Sequence, residues 1–241
     1  MLYCEQAVAG GLARWVECVW SVETTEAVHG YPVRPDGCMD ILFSPGAGLQ
    51  VVGAMTIERR FDLGAQALTV GVRFRPGMAA AFLRVPAEEL TDRVLLLEAF
   101  WKPSALAERM AGAESAAESR GILIKALRPP AAMPNGVQQA IEAVARSHGD
   151  VSIEWVAREA GMSERQFRRR CLEESGLRPK QLCRVLRFRR ACALAGRGLP
   201  WGLVAAEAGY FDQAHLIRDF HEFTGDTPMS VFSNTDGGAT G

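Results

Sequence analysis

Alternation of apolar and polar positions dominates the first third of the chain. From Trp15 to Val22, the residues Val16, Cys18, Trp20 and Val22 recur at every second position, the period of a half-buried strand. Cys38 to Phe43, Leu49 to Val52 and Leu68 to Phe74 are further strand-like runs, with Asp36-Gly37 and Pro45-Gly46 supplying turns between them. After Arg75-Pro76-Gly77 the residues become helix formers, over Met78 to Leu83, Val94 to Trp101, Ser104 to Met110 and Ser115 to Leu127. The stretch from Arg128 to Asn135 holds Pro129, Pro130 and Pro134, cannot continue a helix and predicts an extended connection. Beyond it every long segment has the helical period. The pattern predicts an α+β domain over residues 1–128, a small sheet or barrel with helices. A Pro-rich linker follows over 129–134, then an all-α domain over 135–233 and a disordered polar tail over 234–241.

The all-α part repeats itself. Ser163, Phe167, Arg169, Cys171, Gly176 and Pro179 recur 49 positions later as Asp212, Leu216, Arg218, Phe220, Gly225 and Pro228. Just upstream the offset is 48, pairing Val156-Ala157 with Val204-Ala205 and Glu159-Ala160-Gly161 with Glu207-Ala208-Gly209, so one residue is inserted in the second turn. Each copy reads as helix, tight turn, helix. Ile153, Val156, Ala157 and Ala160 form an apolar stripe behind the cap candidate Ser152; Gly161 permits a left-handed turn, and Ser163 caps a helix that buries Phe167, Cys171 and Leu172. In the second copy Trp201, Val204, Ala205 and Ala208 make the stripe, and Asp212 caps a helix burying Leu216, Phe220 and Phe223.

Such a unit holds its second helix across the first, where it fits the major groove of double-stranded DNA. Outward residues on that helix become base-reading candidates: Arg165, Arg168 and Arg169 in the first copy, Gln213, His215 and Arg218 in the second. Arginine suits guanine O6/N7 and glutamine suits adenine N6/N7. Between the copies, Pro179 to Gly196 reads as a connecting helix spanning about 25 Å, enough to set the two recognition helices about one DNA turn apart. Lys180, Arg184 and Arg187 lie along one side of it as phosphate candidates. For Arg169 and Arg218 the alternative is an ion pair with an acid such as Glu159 or Glu207; Arg170, Arg189 and Arg190 read as a solvated face.

Composition adds two constraints. With 48% hydrophobic and 23% charged residues over 241 positions, wholesale disorder is excluded. No apolar run is long enough for a membrane helix and no secretory pattern opens the chain, so a cytoplasmic protein is expected. The cysteines, Cys4, Cys18, Cys38, Cys171, Cys183 and Cys192, show neither C-x-x-C nor zinc spacing, so neither metal, cofactor nor disulfide framework is expected. Net charge is −1. That average hides a segregation: residues 165–190 carry ten arginines and lysines against Glu173 and Glu174, a field that a polyanion would feel.

These residues resemble the AraC/XylS family of bacterial transcription regulators over about Val151 to Phe232. The resemblance runs through Gly-x-Ser-x-Arg-x-Phe-x-Arg (Gly161 to Arg169), Gly-Leu-Arg-Pro (Gly176 to Pro179) and Arg187-Phe188-x-x-Ala191. It continues through the long motif from Gly209 to Phe220 and ends with Gly225-x-Thr227-Pro228. Cys171 stands where the family usually has Phe, and Leu182 where it often has Tyr. The resemblance implies recognition-helix roles for Arg165, Arg168, Arg169, Gln213 and Arg218, with His215 contacting base or phosphate. Upstream, Tyr31 to Phe43, Val52 to Thr56, Gly71 to Gly77 and Pro86 to Asp92 resemble an uncharacterised β-rich domain found on many such regulators, which implies architecture but no ligand.

Polar residues within the apolar strands are the effector-site candidates: Asp36, Cys38, Asp40, Arg73 and Arg75. Two arginines on one face can clamp a carboxylate or phosphate of a small-molecule effector. The alternative is that Asp36 makes a turn and Arg73 pairs with Asp40 to satisfy the domain itself. The expected function is a sequence-specific, non-enzymatic DNA-binding regulator modulated by an effector. An alternative has the first domain only dimerise or bind a protein such as RNA polymerase; a further one is alkyl transfer from DNA to Cys38.

Overall fold

The computed structural model describes residues 1–101 and 105–233. The expected helix start at Ser104 and the tail over 234–241 lie outside the described residues. Among the described residues, eight strands precede the helical half: β1 (Leu2–Gln6), β2 (Val16–Glu23), β3 (Val28–Val33), β4 (Met39–Ser44), β5 (Gly48–Val52), β6 (Arg59–Leu63), β7 (Leu68–Phe74) and β8 (Val94–Leu96). Six form an antiparallel sheet in the order β1-β2-β7-β4-β5-β8, and β3 pairs with β6 in a separate ribbon. Among the described residues of this half lie α-helices α1 (Ala80–Leu83), α2 (Leu106–Ala111) and α3 (Ala116–Ala126), the last capped by Ser115.

The sheet corrects two details of the expected pattern. Val94 to Trp101 is not a helix: Val94, Leu95 and Leu96 pair with Val52, Val51 and Gln50, and a single 3-10 turn follows at Leu97–Ala99. Short apolar runs suit a strand as well as a buried helix, and here an open sheet edge decides. The Val16-to-Val22 stripe is also split. The β2–β7 register shifts between Val16 and Cys18, so Val16 joins Val19 in the main core, whereas Cys18, Trp20 and Val22 pack on the opposite face against Tyr3, Leu42 and Leu63.

The helical half contains α4 (Gly136–Arg146), α5 (Ile153–Glu159), α6 (Glu164–Ser175), α7 (Pro179–Ala195), α8 (Trp201–Glu207), α9 (Gln213–Thr224) and α10 (Pro228–Ser233). Asn135 opens it, its side chain accepting from the amides of Val137 and Gln138 while Gln138 accepts from the Asn135 amide. One apolar cluster extends through both halves, from Trp15, Ile41 and Phe74 in the sheet to Phe167, Phe188 and Phe220 among the helices. The contact between halves is close. Gly77, at φ +78°, lies against the Ile141 side chain of α4 where a Cβ would come within 2.8 Å, and Gly176, at φ +76°, lies against Thr91 and Ala87.

Candidate nucleic-acid interface

The two repeats fold into the same local device. After α5, the Gly161 and Met162 amides bond back to Arg158 O and Ala157 O; after α8, those of Gly209 and Tyr210 bond back to Ala206 O and Ala205 O. Both turns close through a left-handed glycine, Gly161 at φ +67° and Gly209 at φ +79°. Ser163 then caps α6 in a reciprocal box with Gln166, and Asp212 caps α9 by accepting from the His215 amide at 2.6 Å. Phe167 and Cys171 anchor α6 in the core, with Leu172 half-buried; Leu216, Phe220 and Phe223 anchor α9. Burial of one face therefore fixes which residues point outward.

On α6, Arg165, Arg168, Arg169 and Arg170 are exposed; on α9, Gln213, Ile217 and Arg218 are. Arg168 meets Glu164 at 2.5 Å and Arg169 meets Glu173 at 3.5 Å, both across one helical turn. Exposed pairs of this kind are worth about 0–1 kcal/mol, less than the 1–3 kcal/mol or so of a bidentate base contact, so they hold the arginines without tying them down. Among the described residues Arg165 and Arg218 make no ion pair. His215 is half-buried, its ring edge-on to Tyr210 with centroids 5.1 Å apart.

The connecting helix α7 is 17 residues long and buries Leu182, Cys183, Val185, Leu186, Phe188 and Ala191. Its cations divide. Lys180 is exposed, while Arg184 bonds Asp219 at 2.7 Å and Glu222 at 2.5 Å and lies over the Phe223 ring. Arg187 donates to Gly209 O and faces the Tyr210 ring at 5.8 Å. Both arginines fasten the second unit to α7. Arg189, expected on a solvated face, instead pairs with Glu17 of β2, and Arg190 approaches Glu207 at 3.9 Å.

A helix-turn-helix domain model matches residues 156–234. These residues form a helix-turn-helix domain, the fold class of a DNA-binding module. A second family model, a domain of unknown function (DUF6597), matches residues 8–96. No curated protein matches the chain. Among solved structures, a DNA-binding transcriptional dual regulator from Escherichia coli K-12 is 23% identical with a TM-score of 0.38, over 44% of this chain and 96% of that one. ToxT from Vibrio cholerae O395 is 10% identical with a TM-score of 0.46, over 91% and 97%. CdpR from Pseudomonas aeruginosa is 20% identical with a TM-score of 0.36, over 71% and 47%.

In the N-terminal half, four of the five effector-site candidates come together beside α7. Arg73 faces Asp36 at 3.3 Å, Asp40 at 3.6 Å and Glu5 at 3.1 Å. Asp36 also caps the Cys38 amide, and Asp40 accepts from the Trp20 indole at 2.9 Å. Burial pushes the Asp40 carboxyl up to about 6 against the pull of Arg73. Burial, then the charges of Asp36 and Glu17, push the Cys38 thiol well up. Arg75 lies apart, donating to Ala13 O at 3.0 Å.

Besides Glu5 and Trp20, Glu17 and Arg189 join this cluster from outside the expected set. Glu17 accepts from the Cys38 thiol at 3.5 Å and from Arg189. Burial alone would raise the Glu17 carboxyl, and the Arg189 guanidinium, by hydrogen bond and charge, outweighs it, so the carboxyl sits below its ordinary range. The signal in the sequence was an acid inside the apolar run from Trp15 to Val22. The described residues also line two surface hollows away from the cluster. One of about 290 Å³ is bordered by Glu23, Thr24, Thr25, Gln66, Ala67 and Leu68, and one of about 120 Å³ lies between His148, Arg190 and Glu207. Among the described residues no helix is long and apolar enough to cross a membrane.

Proposed function

We propose that the chain reads a specific double-stranded DNA sequence as a cytoplasmic, non-enzymatic regulator, placing α6 and α9 in successive major grooves of one DNA face. The observation that carries this reading is the duplication itself: two units with the same glycine turn and a side-chain N-cap, each with one face buried and the other lined by long polar side chains, joined by a 17-residue helix. Arg165, Arg168 and Arg169 read one block and Gln213 and Arg218 the other; Lys180 meets phosphate. Arg184 and Arg187 act by holding α9 against α7, and His215 supports Tyr210 at the base of α9.

The N-terminal half acts on this machinery by contact. Arg73 is neutralised by Asp36, Asp40 and Glu5, and Arg75 is engaged by a backbone carbonyl, which favours the self-satisfying reading of these residues over an anion clamp. A buried Cys38 with a raised thiol is a poor nucleophile, which favours a regulator over an alkyl-transfer enzyme.

The test is selection of bound sequences from a random DNA pool by the full-length protein. It is expected to enrich two blocks about one helical turn apart. Arg165→Ala and Gln213→Ala each relax preference in one block, whereas Lys180→Ala weakens all sequences alike and lowers the salt slope by about 1. Equal losses on selected and scrambled DNA for all three variants refute base reading by these residues.

A further inference from the structure

The inserted residue of the second repeat can be identified from the hydrogen bonds. Met162 and Tyr210 hold equivalent places, since each donates its amide to the carbonyl five residues back, Ala157 and Ala205, at 2.9 Å. In the first unit the cap Ser163 follows at once. In the second, Phe211 intervenes before the cap Asp212. The residue by which the second turn exceeds the first is therefore Phe211, and it is 93% exposed. Tyr210 beside it is buried, so the insertion carries an aromatic ring outward from the turn.

Its position gives that ring a destination. Phe211 sits immediately before the first turn of α9, next to exposed Gln213, at the end of the recognition helix that meets base edges in a helix-turn-helix complex. A phenyl ring offers neither a donor for phosphate nor a partner for a base amide. The base-edge group it matches is the thymine C5-methyl, the one apolar feature of the major groove. We propose that Phe211 is a specificity residue of the second unit, packing on a thymine methyl at the border of the block that Gln213 and Arg218 read. The proposal rests on the DNA-reading function above.

The experiment compares wild type with Phe211→Ala in the random-pool selection, then measures binding of both to the selected DNA with deoxyuridine replacing each thymine of the second block in turn. Deoxyuridine removes the methyl group alone. One replacement is expected to weaken the wild type by about 4-fold, the worth of one buried methyl group, and to leave Phe211→Ala unchanged; that variant also loses its preference for thymine there. Thermal unfolding of Phe211→Ala is expected to match the wild type. If the wild type enriches no motif, the DNA-reading function itself fails. If it enriches one and Phe211→Ala keeps every thymine preference, only the present proposal fails. A loss that is equal on thymine and uracil places the ring on the sugar and refutes the methyl contact. A loss of transcription with unchanged DNA binding places it on a protein and refutes it too.

Discussion

Asp40 shows how much one buried carboxylate can report about its surroundings. Its side chain is 13% exposed and faces Arg73, the Trp20 indole, Asp36 and Glu17. Burial and the two neighbouring acids hold it protonated up to about pH 6. An acid raised above its unfolded value, about 3.9, makes the folded state bind the extra proton. The cost of ionised Asp40 is absent below about pH 4, grows between pH 4 and 6, and is fully present at neutral pH. Asp40→Asn keeps an acceptor for Trp20 and does not titrate. Between pH 4 and pH 7 its unfolding free energy is therefore expected to gain on that of the wild type by about 2–3 kcal/mol, read by urea denaturation at both pH values. A constant difference would show that Asp40 is ionised throughout, with Arg73 dominating burial.

At the scale of elements, the joint between α7 and α9 is a mixed-burial ion cluster. Asp219 is 3% exposed and relies on Arg184, while Glu222, at 60%, stands mostly in water. Removing Arg184 strands a buried carboxylate, so Arg184→Met should cost about 3 kcal/mol or more. Removing Glu222 breaks an exposed contact, so Glu222→Ala should cost under about 1 kcal/mol. Equal costs in chemical denaturation would refute this division. The helical elements were legible in the sequence because their determinants are local: Ser163 with Gln166, Gly161, Gly209 and the Phe167 stripe all act within a few residues. The outward face of each recognition helix followed from its buried one. The strands β1, β3 and β6 were not legible, because polar stretches such as His29 to Val33 and Arg59 to Leu63 become strands only through distant pairing. Arg184 and Arg187 carry the same lesson. Their spacing showed a shared helix side, but what that side meets, Asp219 and Gly209, lies 35 and 22 residues away.

Across the whole molecule, the N-terminal half touches every part that sets the distance between the two recognition helices. Thr91 donates to Gly176 O at the end of α6, Gly37 lies against Leu182 of α7, and the Glu58 amide donates to Phe223 O on α9. Glu17 and Arg189, 172 residues apart, form the charged member of this brace. A brace that spans both units restricts how far they turn about α7, and so restricts the spacing of DNA blocks they can occupy together. Breaking its charged member should therefore loosen spacing rather than base preference. Arg189→Met leaves Glu17 half-buried beside Cys38 and lowers stability; with Glu17→Gln the pair should show a coupling of about 1–2 kcal/mol in a double-mutant cycle. In selection from a random pool, Arg189→Met should enrich the same two blocks as the wild type while accepting separations one base pair longer or shorter. A single separation for both proteins, together with zero coupling, would mean that α7 alone fixes the spacing and that the N-terminal half acts on DNA binding by another route.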